Sequence, residues 1–251
     1  TNGNDNITVS GGEIDGNNTN RIVPTGSDYL WDVVFYKDKT IANGKKCNNI
    51  KVENCYVHNS PQTGVQYINA YNSLINNCVF ENNKWTSADI YIFDWANTDW
   101  MQSINSHCTN CTFKNTAVGI SPGWGSYMTV ENCNFTNITN YGVYCDGSKL
   151  TTIKNNTFNN CEPASIAGGC AAASDIPVDQ LTITNNTISN TTEGIFVGCG
   201  SKGFHTITNN TGSNVTTGIK ISSGNKYGST ITGNTGLPVV CYDDPYSPYR
   251  C

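Results

Sequence analysis

Charge is scarce in this chain. Only 13% of its 251 residues are Asp, Glu, Lys or Arg, just 3 are histidine, and the formal net charge is −5. Arginine occurs only at Arg21 and Arg250, near the two ends. That balance excludes a nucleic-acid partner, whose recognition rests on clustered Lys and Arg. No apolar run approaches the roughly 18 residues a bilayer-spanning helix needs, so no membrane span is expected. Charge runs typical of disorder are lacking too, and the polarity is carried by Asn, Thr, Ser and Gly. The sequence opens at Thr1 with neither methionine nor a signal pattern, from which a processed or excised product is expected.

What is abundant is one phrase. It reads IKVENCYVHN around Cys55, LINNCVFENN around Cys78, CTNCTFKN around Cys111 and VENCNFTN around Cys133. It continues as IKNNTFNN at Asn156, ITNNTISN at Asn186, ITNNTGSN at Asn210 and ITGNTG at Asn234. The anchors are separated by 23, 33, 22, 23, 30, 24 and 24 residues. Such a period with two insertions is the signature of a solenoid. Alternation puts Ile50 and Val52 on one face, Asn54 and Cys55 break it, and Val57 resumes it. A second strand follows each anchor, usually opened by glycine: Gly64, Gly119, Gly142, Gly194, Gly218. Stacked turns then place like residue on like residue at about 4.8 Å.

The expected columns are Asn54, Asn77, Asn110, Asn132, Asn155, Asn185 and Asn209, and, five residues later, Asn59, Asn82, Asn115, Asn137, Asn160, Asn190 and Asn214. Asparagine tolerates left-handed backbone and can donate and accept up and down a stack. On these residues the chain resembles the right-handed parallel β-helix proteins of the pectin-lyase-like class, known for asparagine ladders. The resemblance implies an all-β, right-handed, single-stranded parallel β-helix of about nine to ten turns. One domain over 1–241, with insertions near 84–107 and 161–180, is followed by a tail, 242–251, that closes the last turn. The architecture hosts lyases, hydrolases, tailspikes, adhesins and surface-layer proteins, so chemistry must come from the residues.

Twelve cysteines in an acidic chain point to an oxidising, extracellular or cell-surface location. Cys55, Cys78, Cys111 and Cys133 share one buried column, continued by the four later asparagine anchors, where small thiols serve packing. The disulfide candidates are Cys161 and Cys170, which flank an insertion, and Cys241 and Cys251, which would pin the tail. Cys108-Thr-Asn-Cys111 fits a CxxC pattern, but the column role of Cys111 sets a metal or redox reading aside, and no metal is expected. Of the Asn-x-Thr triplets, Asn17 and Asn134 are the cleanest glycosylation candidates. Asn137, Asn190 and Asn214 are further candidates that also belong to a ladder.

The outward residues after each glycine form the face on which enzymes of the resemblance class work. Alignment predicts an outward row of Gln66, Tyr91, Ser121, Tyr144, Phe196 and Lys220, and a second of Phe93, Gly123, Asp146, Gly198 and Ser222. No adjacent carboxyl pair of the retaining kind is visible. Asp94 and Asp146, two turns apart, give the best inverting pair, with Asp99 and Lys220 as the other candidate catalytic groups. Asn97-Thr98-Asp99 is similar to the first acidic motif of polygalacturonases, but their later motifs do not follow. Calcium-assisted lyase chemistry through acids of the first insertion is the one cofactor alternative to none. That insertion gathers Trp85, Tyr91, Phe93, Trp95 and Trp100, which together with Tyr144 would contact a carbohydrate or a partner. Three Thr-Ile-Thr triplets, at 182–184, 206–208 and 230–232, give a flat threonine array of the ice-binding kind.

Nothing in the sequence caps the first turn, so open ends are expected to join copies into a homo-oligomer or polymer. The primary expectation is therefore an extracellular structural protein, leaning away from an enzyme: a filament, sheath, surface layer or adhesin. The alternative is a polysaccharide lyase, hydrolase or tailspike-type depolymerase, with polysaccharide as its partner, and ice binding is a minor alternative.

Overall fold

The bends of the coil are made by asparagine in the left-handed backbone region, which its short amide side chain tolerates better than other residues. In a computed structural model, which describes residues 5–17, 31–35, 47–68, 70–91, 105–123, 127–169, 179–198, 204–243 and 251, both predicted asparagine columns have φ between 51° and 58°. A third bend, not anticipated, carries Asn49, Asn72 and Asn105 and then Tyr127, Leu150 and Gln180 in the same region. For the last three, left-handed backbone costs about 1–2 kcal/mol each, which the surrounding stack must offset.

Between bends the chain is extended, and among the described residues every strand pairing is parallel, within one 20-stranded sheet and a 2-stranded one. The chain is thus an all-β parallel β-helix. Gly12 pairs with Cys55 in the first step, Val52 with Ile75, Phe113 with Phe135 and Ile195 with Ile219. Inside, Phe80, Phe113, Phe135 and Phe158 stack with centroids 4.9, 4.8 and 4.6 Å apart. The same column continues as Ile188 and Gly212. Glycine there leaves room for Leu237, whose side chain would meet a Cβ at Gly212 at 2.4 Å. Leu237 is 3% exposed, so the last turn is filled from within by a residue preceding the predicted tail.

The cysteine-to-asparagine column holds its predicted place, but the hydrogen-bonded ladder differs from expectation. Asn156 Nδ2 and backbone N both donate to Asn186 Oδ1, at 3.0 Å each. Asn186 repeats this onto Asn210, and Asn210 onto Asn234. Each Nδ2 also donates to a main-chain carbonyl behind it: Val130, Ile153, Ile183 and, for Asn234, Ile207. The outer column was expected to carry this role; there Asn77 donates to Asn54 at 2.8 Å, but Asn110 turns to Asn76 and Asn132 to Glu131. The continuous ladder lies one residue later because only the inward amide is screened from water.

The disulfide expectation divides. Cys241 and Cys251 are joined. Cys161, by contrast, is a buried free thiol opposite Ile138, inside the coil and not on the rim of an insertion. Burial pushes it up to about 12, which leaves it inert. Cys170 lies outside the described residues.

Candidate functional site

The outward face begins at a corner where no side chain fits. A Cβ on Gly142 would lie 2.6 Å from the Ser165 carbonyl and 2.7 Å from the Phe158 ring. Alternation breaks there, Gly142 and Val143 both being buried, and Tyr144 emerges on the next face, half-buried. Its row runs through Val34, Gln66, Asp89, Ser121, Tyr144, Ala167, Phe196, Lys220 and Val240. The predicted row is right except at the first insertion, where Asp89 and not Tyr91 occupies the position. Tyr91 pairs with Ile68 in the neighbouring row. That row continues through Asp146, paired with Gly169, and Ser222, paired with Tyr242. Phe93, Asp94, Trp95, Asp99 and Trp100 lie outside the described residues. Trp85 is 58% exposed, at the bend before Thr86.

The structure brings together a patch that the sequence reading split. Tyr141 stacks on Tyr144 at 4.9 Å and 15°. Phe196 lies over Gly198, where a Cβ would meet its ring at 2.5 Å. Tyr242 is near-parallel to Phe196 at 6.3 Å. Lys220 has an acidic neighbour: its Nζ donates to Glu193 Oε1 at 2.5 Å and sits 5.4 Å from the Phe196 centroid. Glu193 was missed because it stands on the far side of the glycine corner, paired with Ala164 and Thr217. With Ala167 between them, Tyr144 and Phe196 are two rungs apart, roughly 9–10 Å. The result is two aromatic platforms over a small-residue floor, bordered by one ion pair.

A second polar cluster escaped the sequence reading. His58 Nε2 lies 2.8 Å from Glu13 Oε1, and its ring stacks on Tyr56 at 4.3 Å. Tyr56 donates to Glu81 Oε2 at 2.7 Å, and Lys114 Nζ is 2.9 Å from the same oxygen. The bond to Glu81 pushes the Tyr56 phenol up to about 12, and the bonds from Tyr56 and Lys114 hold the Glu81 carboxyl below its usual range. The signal was present, since His58, Glu81 and Lys114 each stand three residues after a cysteine anchor. These groups neutralise one another along the stack, as a surface network does.

The right handed beta helix region family matches residues 1–123 and 109–235. The chain belongs to this family. As a right-handed β-helix it is similar to PfbA, a surface adhesin of Streptococcus pneumoniae, at 16% identity and TM-score 0.64, covering 88% of this chain and 61% of that one. It is also similar to pectate lyase Pel9A, at 14% identity and TM-score 0.55, covering 97% and 66%. A third likeness is to a tailspike protein mutant of E. coli bacteriophage HK620 in complex with a pentasaccharide, at 14% identity and TM-score 0.54, covering 80% and 40%. At these identities the likeness is one of fold. The chain spans about 61% of the adhesin's length and 40% of the tailspike's. No curated protein sequence matches it. No helix among the described residues is long and apolar enough to cross a membrane.

Elsewhere on this β-helix the modification candidates differ in availability. Asn137 donates to Asn115 at 3.2 Å, Asn190 to Asn159 at 2.7 Å and Asn214 to Asn190 at 3.0 Å. A glycan would remove those donors. Asn134 is exposed on a strand, and Asn17 is exposed in a left-handed bend. The threonine triplets align as expected, Thr182 with Thr206 and Thr230, and Thr184 with Thr208 and Thr232. Inside, the thiols of Cys108, Cys111 and Cys133 lie within 4.8 Å of one another. Hydrogen bonds from Cys108 and then Cys111 hold the Cys133 thiol below its usual range.

Proposed function

We propose that this β-helix is an extracellular adhesive module that holds saccharide chains along its outward row. The observation that carries the reading is the patch of Tyr144, Phe196 and Tyr242 with Lys220 and Glu193. Aromatic faces give flat apolar contact for sugar rings while their edges and tips stay wet. Two platforms on alternate rungs let rings of one chain rest on both. The Lys220 ammonium keeps donors beyond the one used on Glu193, and the carboxylate keeps acceptors, so sugar hydroxyls can be bonded without an uncompensated charge. The adhesin likeness in fold agrees with this reading. Self-association through the ends, expected from the sequence, is compatible with it and is measured by sedimentation of the same protein.

The test is binding to a panel of bacterial and plant polysaccharides, with Tyr144→Ala and Phe196→Ala. Each substitution should weaken binding at least tenfold with an unchanged melting temperature. Binding unaffected by both, or no saccharide bound, rejects the reading.

A further inference from the structure

Two interior columns meet at a point where the chain departs from its own rule. One column reads Ile75, Cys108, Val130, Ile153, Ile183, Ile207 and Ile231. Cys108 interrupts a run of branched aliphatics that packing alone would continue. The neighbouring column supplies Cys111 and Cys133, whose equivalents in later turns are asparagines. Sulfur therefore replaces two different residue types at one place. All three cysteines are 0–1% exposed, none is in a disulfide, and Cys108 Sγ is 4.0 Å from Cys133 Sγ.

We propose that Cys108, Cys111 and Cys133 form a trigonal thiolate site for a soft monovalent cation, copper(I). A metal centred among three sulfurs at about 2.3 Å requires sulfur–sulfur separations of about 4.0 Å, and the three already lie within 4.8 Å. Soft thiolates select copper(I), zinc and iron–sulfur clusters. Structural zinc takes four ligands. Among the described residues the metal-ligating group holds three, and Asn156 Oδ1, on the next rung of the column, is engaged by Cys133 N at 2.8 Å. Main-chain donors are aimed at the sulfurs that would carry charge: Cys78 N at Cys111 Sγ and Cys111 N at Cys133 Sγ, both 3.5 Å. On binding, the ligating thiols release S–H protons to solvent, the sulfur lone pairs form the metal bonds, and no oxidation state changes.

Because the sulfurs are sealed from solvent, loading is expected during refolding and to be slow in the native protein. The experiment adds copper(I) anaerobically to full-length reduced protein, native and refolding from denaturant, and measures retained metal against a copper(I)-selective chelator. One equivalent per chain should be retained after refolding, with a higher melting temperature. Cys108→Val restores the aliphatic column and Cys133→Asn the asparagine column, so both variants should fold; each should lose at least 90% of the retained copper. Cys55→Asn, in the same column but away from the cluster, should retain it. Retention of wild-type copper by Cys108→Val, tighter retention of zinc(II) than copper(I), or less than a tenth of an equivalent bound after refolding each overturns the proposal.

Discussion

One interior column is built twice in this molecule, with sulfur in its first half and with amide in its second. From Asn156 onward each side chain donates to a carbonyl, and from Asn186 onward each also accepts two bonds from the rung before it, all at 2.8–3.0 Å. In the cysteine half the same main-chain donors reach sulfur at 3.5 Å, and Cys78 returns its own proton to Val52 at 3.5 Å. The junction is continuous, Cys133 N donating to Asn156 Oδ1. The geometry demanded by the bend is therefore the same, and only the strength of the partner changes. Thiols are weak donors and acceptors, so the first half must draw more of its stability elsewhere. It has the phenylalanine stack, which ends at Phe158 as the amide ladder begins.

Removing each half's own support is the sharpest way to break the comparison. Phe113→Ala should be the most damaging change, at about 3–5 kcal/mol for an aromatic deleted from a stack. Asn186→Ala should follow at about 2–3 kcal/mol, because it strips Asn156 N and the Ile153 carbonyl of their partner inside the coil. Both are read from denaturant unfolding. If Asn186→Ala costs no more than a surface change, the ladder is incidental to the fold. Cys78→Asn brings the stronger partner into the sulfur half and should stabilise by about 0.5–1.5 kcal/mol; a loss would mean that this half is packed around sulfur.

Acid should single out the amide half by a smaller margin. Burial holds His205 below its usual range, and its Nδ1 accepts from Leu181 N at 3.1 Å, a role only the neutral ring can fill. The unfolded chain takes up a proton near pH 6.5 while the folded chain does so only at lower pH. Stability should therefore fall as pH drops below about 6.5, and level off once the folded ring also protonates. Thermal melts at about pH 7.5 and 5.5 should show less acid loss in His205→Gln than in the parent. The least effect is expected at Asn185, exposed and left-handed at φ 56°. Asn185→Gly should stay within about 0.5 kcal/mol, since glycine tolerates that backbone and no amide ladder depends on it. A cost like that of Asn186→Ala would move the ladder back to the outer column.

The chain's own repetition determined the coil, its bends and the place of the cysteine-to-asparagine column, because a stacked solenoid must present the same residue type to the same environment on every rung. Parity alone assigned most of the outward row, including Tyr144, Phe196 and Lys220. Parity could not survive an insertion: with several extra residues between Asn83 and Cys108, only strand pairing decided that Asp89 and not Tyr91 joins that row. Contacts across corners were equally invisible, since the angle of a glycine bend, absent from any spacing, brings Glu193 to Lys220 and Tyr141 to Tyr144. The three-thiol cluster and the Leu237 plug share that origin. Sequence periodicity orders residues along a column, whereas proximity between columns depends on how wide the coil is and how its side chains fill it.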